Sequence, residues 1–303
     1  MALPGTAGWG RRLVAAVPTA WLLLLFLIPF VIVLKIAFSE ARIASPPYAP
    51  LIEWAADSTM TLHVNLRNFA FLFSEGLYVS TFFYSLQVAA VSTLLCLLVG
   101  YPMALGIARS PPARRNVLLM LVILPFWTSF LLRVYAWIGL LKSNGVINNV
   151  LLATGVIDEP ITMLQTDFAV YVGIVYSYLP FMILPLYTNL EKHDPALLEA
   201  AADLGARPWR AFVRVTLPMS QAGIVAGSLL VFIPAVGEYV IPSLLGRTDQ
   251  LMIGRVLSDE FFANRDWPVA SAVAIVMLVL LVVPIRIYQR YQDRSLSALE
   301  RHA

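Results

Sequence analysis

The chain has 303 residues, of which 59% are hydrophobic and 13% charged, with a formal net charge of +3. A soluble domain carries about 25% charged residues, so this composition, with a mean hydropathy of +0.78, excludes that class and reads as an all-α integral membrane protein. The single cysteine, Cys96, excludes an intramolecular disulfide framework and a Cys-rich metal site.

Residues 1–16 form a short tail carrying Arg11 and Arg12, and Val17 to about Phe38 is the first span. The run is too long for a signal-peptide core, and no clean small-x-small cleavage site follows it, so an uncleaved anchor is expected. Residues 39–78 form a polar loop with Pro46, Pro47 and Pro50 and short interfacial elements around Glu53-Trp54 and Asn68-Phe69. The second span is expected over about Thr81–Ile107. The third covers about Asn116–Leu132, with Val134–Leu141 continuing on the outer face. The fourth covers Phe168–Leu190, the fifth Gln221–Leu245 and the sixth Val269–Tyr288.

Six spans put both termini on one side. Thirteen of the 21 basic residues fall on the tails and even-numbered loops, seven on the odd-numbered loops, which orients the termini to the cytoplasm. Eleven acidic residues lie on the outer loops against six inside. That excess either concentrates cations at the outer mouth or is what remains when topology excludes basic residues there.

Three features stand out within the spans. Arg133 follows about 17 apolar residues, and at 1.5 Å per residue that places it near the outer interface, snorkelling to headgroups. Glu238 lies in Pro234-Ala235-Val236-Gly237-Glu238-Tyr239-Val240-Ile241-Pro242, where two prolines and a glycine should break the helix. An intramembrane carboxylate marks a functional site by default; Glu238 either lines a translocation path or neutralises Arg133. Aromatic residues, Trp127, Tyr135, Trp137, Tyr171, Tyr176, Tyr178 and Tyr239, occupy comparable positions. Cation–π contact suits an ammonium cargo, whereas Tyr135, Trp137 and Tyr171 fit an ordinary interfacial belt. No Walker-type phosphate loop is present, so the chain does not hydrolyse ATP itself. His63, His193 and His302 are too scattered for a metal site. No nucleophile–base pair marks an enzyme.

Between the fourth and fifth spans, Pro195 to Leu204 should form a short helix: proline suits its first turn, and Ala200, Ala201 and Ala202 are strong helix formers. Gly205 supplies a permissive backbone for a sharp stop. A second helical run through Trp209, Phe212, Val213 and Leu217 leads into the fifth span. Such an elbow, outside the bilayer yet closely tethered to it, is a docking surface for another protein.

Glu199-Ala200-Ala201 with Gly205, then Val215-Thr216-Leu217-Pro218, resembles the cytoplasmic signature loop of ABC-type importer permeases, with Val215 where the pattern has Ile. Leu131-Leu132-Arg133-Val134-Tyr135-Ala136-Trp137, Asn144-Gly145-Val146-Ile147-Asn148, the Phe232–Pro242 stretch, Met252-Ile253-Gly254 and Asn264-Arg265-Asp266-Trp267-Pro268 are similar to polyamine importer permeases, nearest to the putrescine branch. The likeness covers about Leu13 to Gln289. It implies the type I importer permease fold in one transmembrane domain: an extra N-terminal helix at about 17–38, a five-helix core at about 80–290 and a coupling loop at about 191–219. It further implies a bacterial inner-membrane location, a second homologous permease, two copies of an ATPase that carry ATP and Mg, and a periplasmic polyamine-binding protein. Glu199, Ala200, Ala201, Gly205, Leu217 and Pro218 then belong to ATPase coupling, while Glu238, Tyr239, Tyr176, Tyr178 and Trp127 are candidates for the path, with Arg133 as a charge partner. The coupling loop alone also fits permeases for ferric iron, thiosulfate or an amino acid, and the spans alone also fit a secondary transporter.

Overall fold

The computed structural model describes residues 6–54 and 60–300, with side chains over 14–51, 61, 63–283 and 285–286. Asp57, Arg301 and His302, and the side chains of Arg11, Arg12, Glu53, Arg290, Asp293, Arg294 and Glu300, lie outside these residues. Among the described residues the regular elements are helices, apart from one short antiparallel ribbon. It divides into two compact units, residues 1–76 with 257–303, and residues 77–256.

In the first unit, α1 (Thr6–Leu22), a π turn (Leu23–Leu27) and α2 (Ile28–Ala37) run in succession. The stretch Val14–Ala37 is long and apolar enough to cross a bilayer. Beyond it, β1 (Ile52–Trp54) pairs with β2 (Met60–Leu62), and α3 spans Arg67–Ser74, so ordered elements occupy both places where the loop was expected to carry them. Asn68 is buried and its Nδ2 donates to the carbonyls of Ala37 (2.9 Å) and Ser39 (2.8 Å), capping the open end of α2. The last helix of this unit, Trp267–Glu300, packs on α2 and α3, and its Trp267 stacks on Phe261 with ring centroids 5.0 Å apart.

The second unit opens with α4 (Gly76–Ala108), followed by α5 (Pro112–Ile123) with a 3-10 turn (Leu124–Trp127), α6 (Phe130–Leu141) and α7 (Val146–Ala153). Then come α8 (Asp167–Leu190), α9 (Ala196–Asp203), α10 (Pro208–Ala211) with a π turn (Phe212–Thr216), and α11 (Leu217–Met219). α12 (Gln221–Val236) and α13 (Val240–Leu245) follow, and α14 (Ile253–Ser258) lies at the unit boundary. In chain order, Trp267–Glu300 is α15.

Among the described residues α4 and α8 are each long and apolar enough to span, as expected for the second and fourth segments. The third segment departs from expectation. Its first limb stops at Trp127 and meets the Phe130–Ala153 limb at 91°. Pro125 begins the stop, and Thr128 and Ser129 are extended, with ψ of 151° and 136°. Leu131, Leu132 and Arg133 therefore belong to the second limb, and a height counted along one straight helix does not apply to Arg133. The fifth segment breaks where the Pro/Gly spacing places it, between α12 and α13.

α12 lies along α8 as the most extensive helix pair of the unit. Small residues make the approach possible: a Cβ on Gly223 would meet Asn189 Cβ at 2.8 Å, and one on Gly227 would meet Met182 Sδ at 2.8 Å and Met182 O at 3.1 Å. Cys96, Met182, Ile183, Leu186 and Val231 form the buried core around that contact. Cys96 is wholly buried, its thiol 3.8 Å from the Val175 carbonyl.

Candidate functional site

The elbow forms as its sequence dictates. Asp194 Oδ1 accepts from the Ala196 amide at 2.9 Å and starts α9, which carries Glu199 in its first turn, a favourable place for a negative charge. The helix ends in a Schellman motif: Gly205 N–H bonds Ala202 O (2.8 Å), and Ala206 N–H bonds Ala201 O (2.9 Å). Gly205 has φ +76°, and a Cβ added there would meet nothing within 4 Å, so backbone conformation alone demands glycine. Glu199 and Ala200 are exposed, as are Leu217 and Pro218, with Ala201 half-buried. The Glu199 carboxylate forms no ion pair with a described residue. Two large apolar side chains are strongly exposed on the same elbow, Leu204 at 88% and Trp209 at 72%. The elbow thus exposes two large apolar side chains and, in its first helix, a carboxylate without an ion pair among the described residues.

Its base is braced by residues that the sequence marks only as topogenic charge or apolar filler. Arg115 at the start of α5 pairs with Glu191 just past α8 at 2.5 Å, and its Nη2 donates to Ala108 O at the end of α4 (3.0 Å). Tyr101 shares a buried 2.8 Å hydrogen bond with Ser220 and meets Phe212 edge-on at 5.6 Å. These contacts tie the elbow to α4 and α12.

The second cluster is built around the broken fifth segment. Glu238 is 7% exposed. One carboxylate oxygen accepts from the amides of Tyr239 (3.2 Å), Val240 (3.0 Å) and Ile241 (3.4 Å), and the other accepts the Tyr178 hydroxyl. The carboxylate thus supplies partners for the amides that a helix start leaves open. No ion pair joins it to Arg133 among the described residues. Arg133 lies over the rings of Phe126 (5.1 Å) and Phe130 (5.7 Å), a cation–π arrangement, with Nε and Nη1 buried and unpartnered. Phe126 meets Phe181 at 5.1 Å, and Phe181 meets Tyr178 at 6.1 Å, so ring contacts run from Arg133 to Glu238.

The structure brings Tyr178 and Glu238 together. Tyr176 sits on Trp137 at 5.5 Å and is 36% exposed, while Tyr239 and Trp127 present more of their surface. Asn148, from the Asn144–Asn148 stretch, is a loop pin: its Nδ2 donates to Lys142 O (3.2 Å) and Ile161 O (2.9 Å), and its Oδ1 accepts from Ile161 N (2.9 Å). At the other end of the unit the exposed Arg247–Asp249 pair (2.6 Å) holds the Asp249 carboxyl below the usual carboxylate range. Tyr84 donates to Asp167 at 2.9 Å.

A family model described as "Binding-protein-dependent transport system inner membrane component" matches residues 96–298. The spermidine/putrescine transport system permease protein PotB of Haemophilus influenzae is 40% identical over 280 residues, covering 92% of this chain and 93% of that protein. PotB of Escherichia coli K12 is 42% identical over 216 residues, covering 71% and 78%. Among solved structures, a chain of the bacterial alginate ABC transporter in complex with an alginate pentasaccharide-bound periplasmic protein has a TM-score of 0.68 at 19% identity, covering 94% of this chain and 96% of that one. The last likeness concerns the fold alone.

Proposed function

We propose, on the premise that this chain belongs to the family of binding-protein-dependent transport system inner membrane components, that it is a polyamine permease of an ATP-driven importer. The chain is a multi-pass inner-membrane transport subunit and not an enzyme. The observation that carries the substrate class is the likeness to PotB along nearly the whole of both chains. Putrescine is the cargo the sequence motifs favour, with spermidine beside it.

The proposed cycle uses both clusters. A periplasmic binding protein releases a di- or polyamine into a path between this chain and a second, homologous permease. ATP binding closes a pair of ATPase subunits, and the elbow seated on them shifts; a ligand or nucleotide moves such an equilibrium only by binding one state better. Exposed Leu204 and Trp209 give the elbow its apolar contact, and Glu199 meets a basic group on the ATPase. Shift of the elbow passes through Arg115 and Tyr101 to the bundle. Dehydrating an ammonium requires carboxylates or aromatic faces in exchange for water. Tyr176, Tyr239 and Trp127 offer such faces, and Glu238 shapes the backbone that presents Tyr239.

Uptake of labelled putrescine in the assembled transporter, challenged by spermidine, cadaverine and amino acids, tests the reading. Competition by the polyamines alone, and loss of uptake with an ATPase-dead partner, is the expected result. Uptake that persists without ATP hydrolysis, or competition by amino acids, would overturn it.

A further inference from the structure

The helical run that leaves the elbow, Pro208–Met219, meets α12 at an angle of 65°. Ser220 is the residue between them and is wholly buried. A bend of this kind can absorb a displacement arriving from one side, so whatever holds its angle decides what the far side feels. Pro218 has no amide to give to the helical ladder just before the bend, which weakens the backbone's own hold there.

Side chains supply the hold instead. The Ser220 hydroxyl donates to the Leu217 carbonyl at 3.0 Å, on the elbow side of the bend. A serine hydroxyl has one proton, so in the buried 2.8 Å contact between Tyr101 and Ser220 the tyrosine is the donor. Tyr101 is itself buried on α4, in one core cluster with Cys96, Ala104 and Met182. Its ring meets Phe212 edge-on at 5.6 Å, and Phe212 stacks on the exposed Trp209 at 5.8 Å. One side chain of α4 thus grips the elbow run by its ring and the bend by its hydroxyl. Arg115 ties the elbow to helix ends, whereas Tyr101 reaches the break itself.

We propose that Tyr101 is a positioning residue that latches the 65° bend at Ser220, so that a displacement of the elbow turns α12 with it instead of being spent at the bend. The latch stands on this geometry; its effect on transport rests on the reading of the chain as a permease driven by an ATPase.

The test compares wild type with Tyr101→Phe in the assembled transporter. The variant keeps the ring and deletes the hydroxyl, and it strands no donor, because the Ser220 proton stays on the Leu217 carbonyl. Spin labels on Asp203→Cys in α9 and Leu230→Cys in α12, both exposed positions, report the bend. The spread of their separation is read by double electron–electron resonance, with no other reactive cysteine in the assembly. Uptake per ATP hydrolysed reports coupling. One neutral hydrogen bond corresponds to about a fivefold change in population. Tyr101→Phe should therefore broaden the spread and lower uptake per ATP about fivefold. Tyr84→Phe, which loses a hydroxyl bond to Asp167 elsewhere in the unit, is the control and should leave both readings unchanged. An unchanged spread in Tyr101→Phe overturns the latch, whatever happens to the melting temperature. Equal losses in Tyr101→Phe and Tyr84→Phe also overturn it, since they reflect general stability. A broader spread at wild-type uptake per ATP refutes the part of the latch in coupling. Should wild type take up no cargo at the expense of ATP, the importer reading fails, and the spread alone decides the latch.

Discussion

The Tyr178 hydroxyl donates to the Glu238 carboxylate, so the middle of α8 holds the gap between α12 and α13. With the Tyr239, Val240 and Ile241 amides on its other oxygen, Glu238 serves four donors at once. Glu238→Gln keeps the shape and deletes the charge that strengthens these bonds. It should destabilise the assembled transporter by about 1–3 kcal/mol, read as a lower melting temperature, with uptake reduced. Tyr178→Phe removes one donor and should cost about 1 kcal/mol. Uptake lost at an unchanged melting temperature would instead assign the carboxylate to the cargo.

Arg133 rests on aromatic rings, not on Glu238. Breaking one member of a buried ion pair is rescued when both members go; two residues without a pair show no rescue. Glu238→Gln combined with Arg133→Gln should therefore be no more stable than Glu238→Gln alone. A double variant that recovers the wild-type melting temperature would refute this and restore the pair.

At Gly205 a side chain meets open space but a left-handed backbone. The penalty is conformational, about 1–2 kcal/mol, and is smaller for asparagine than for a β-branched residue. Gly205→Val should lower uptake and stimulated ATP hydrolysis while the chain still inserts, and Gly205→Asn should retain more of both. Equal activity in all three forms would remove the elbow geometry from the coupling account.

The α8–α12 contact predicts a different failure. A Cβ at Gly227 would lie 2.8 Å from Met182 Sδ and 3.1 Å from the Met182 carbonyl, and the backbone atom has no rotamer to escape through. Gly227→Val should cost about 1–3 kcal/mol or more and reduce the yield of assembled transporter. Gly76→Ala, which meets nothing within 4 Å, is the matched control and should assemble normally.

The apolar runs of α4 and α8, the glycine stop of the elbow and the break near Gly237 were legible in the sequence, because each follows from local composition or from one residue's backbone preference. The right-angled turn at Thr128 and Ser129 was not: Pro125 hints at a stop, but the direction taken afterwards depends on packing of α6 against α8 and α13. Glu238 was found as an intramembrane carboxylate. Its partners were hidden, since three are backbone amides and the fourth lies 60 residues away. Arg115 was visible only as a positive charge; its grip on Glu191 and Ala108 needs three helix ends to meet.

The buried Cys96 gives the chain a practical property. Its one thiol is fully enclosed by α8 and its neighbours, so membrane-impermeant maleimides have no native target on either face of a sealed vesicle. A cysteine placed at Leu204, 88% exposed on the elbow, or at Ile43, fully exposed in the loop after α2, becomes the sole reporter. Labelling of Leu204→Cys from the cytoplasmic side and of Ile43→Cys from the opposite side would fix the sidedness of the whole chain.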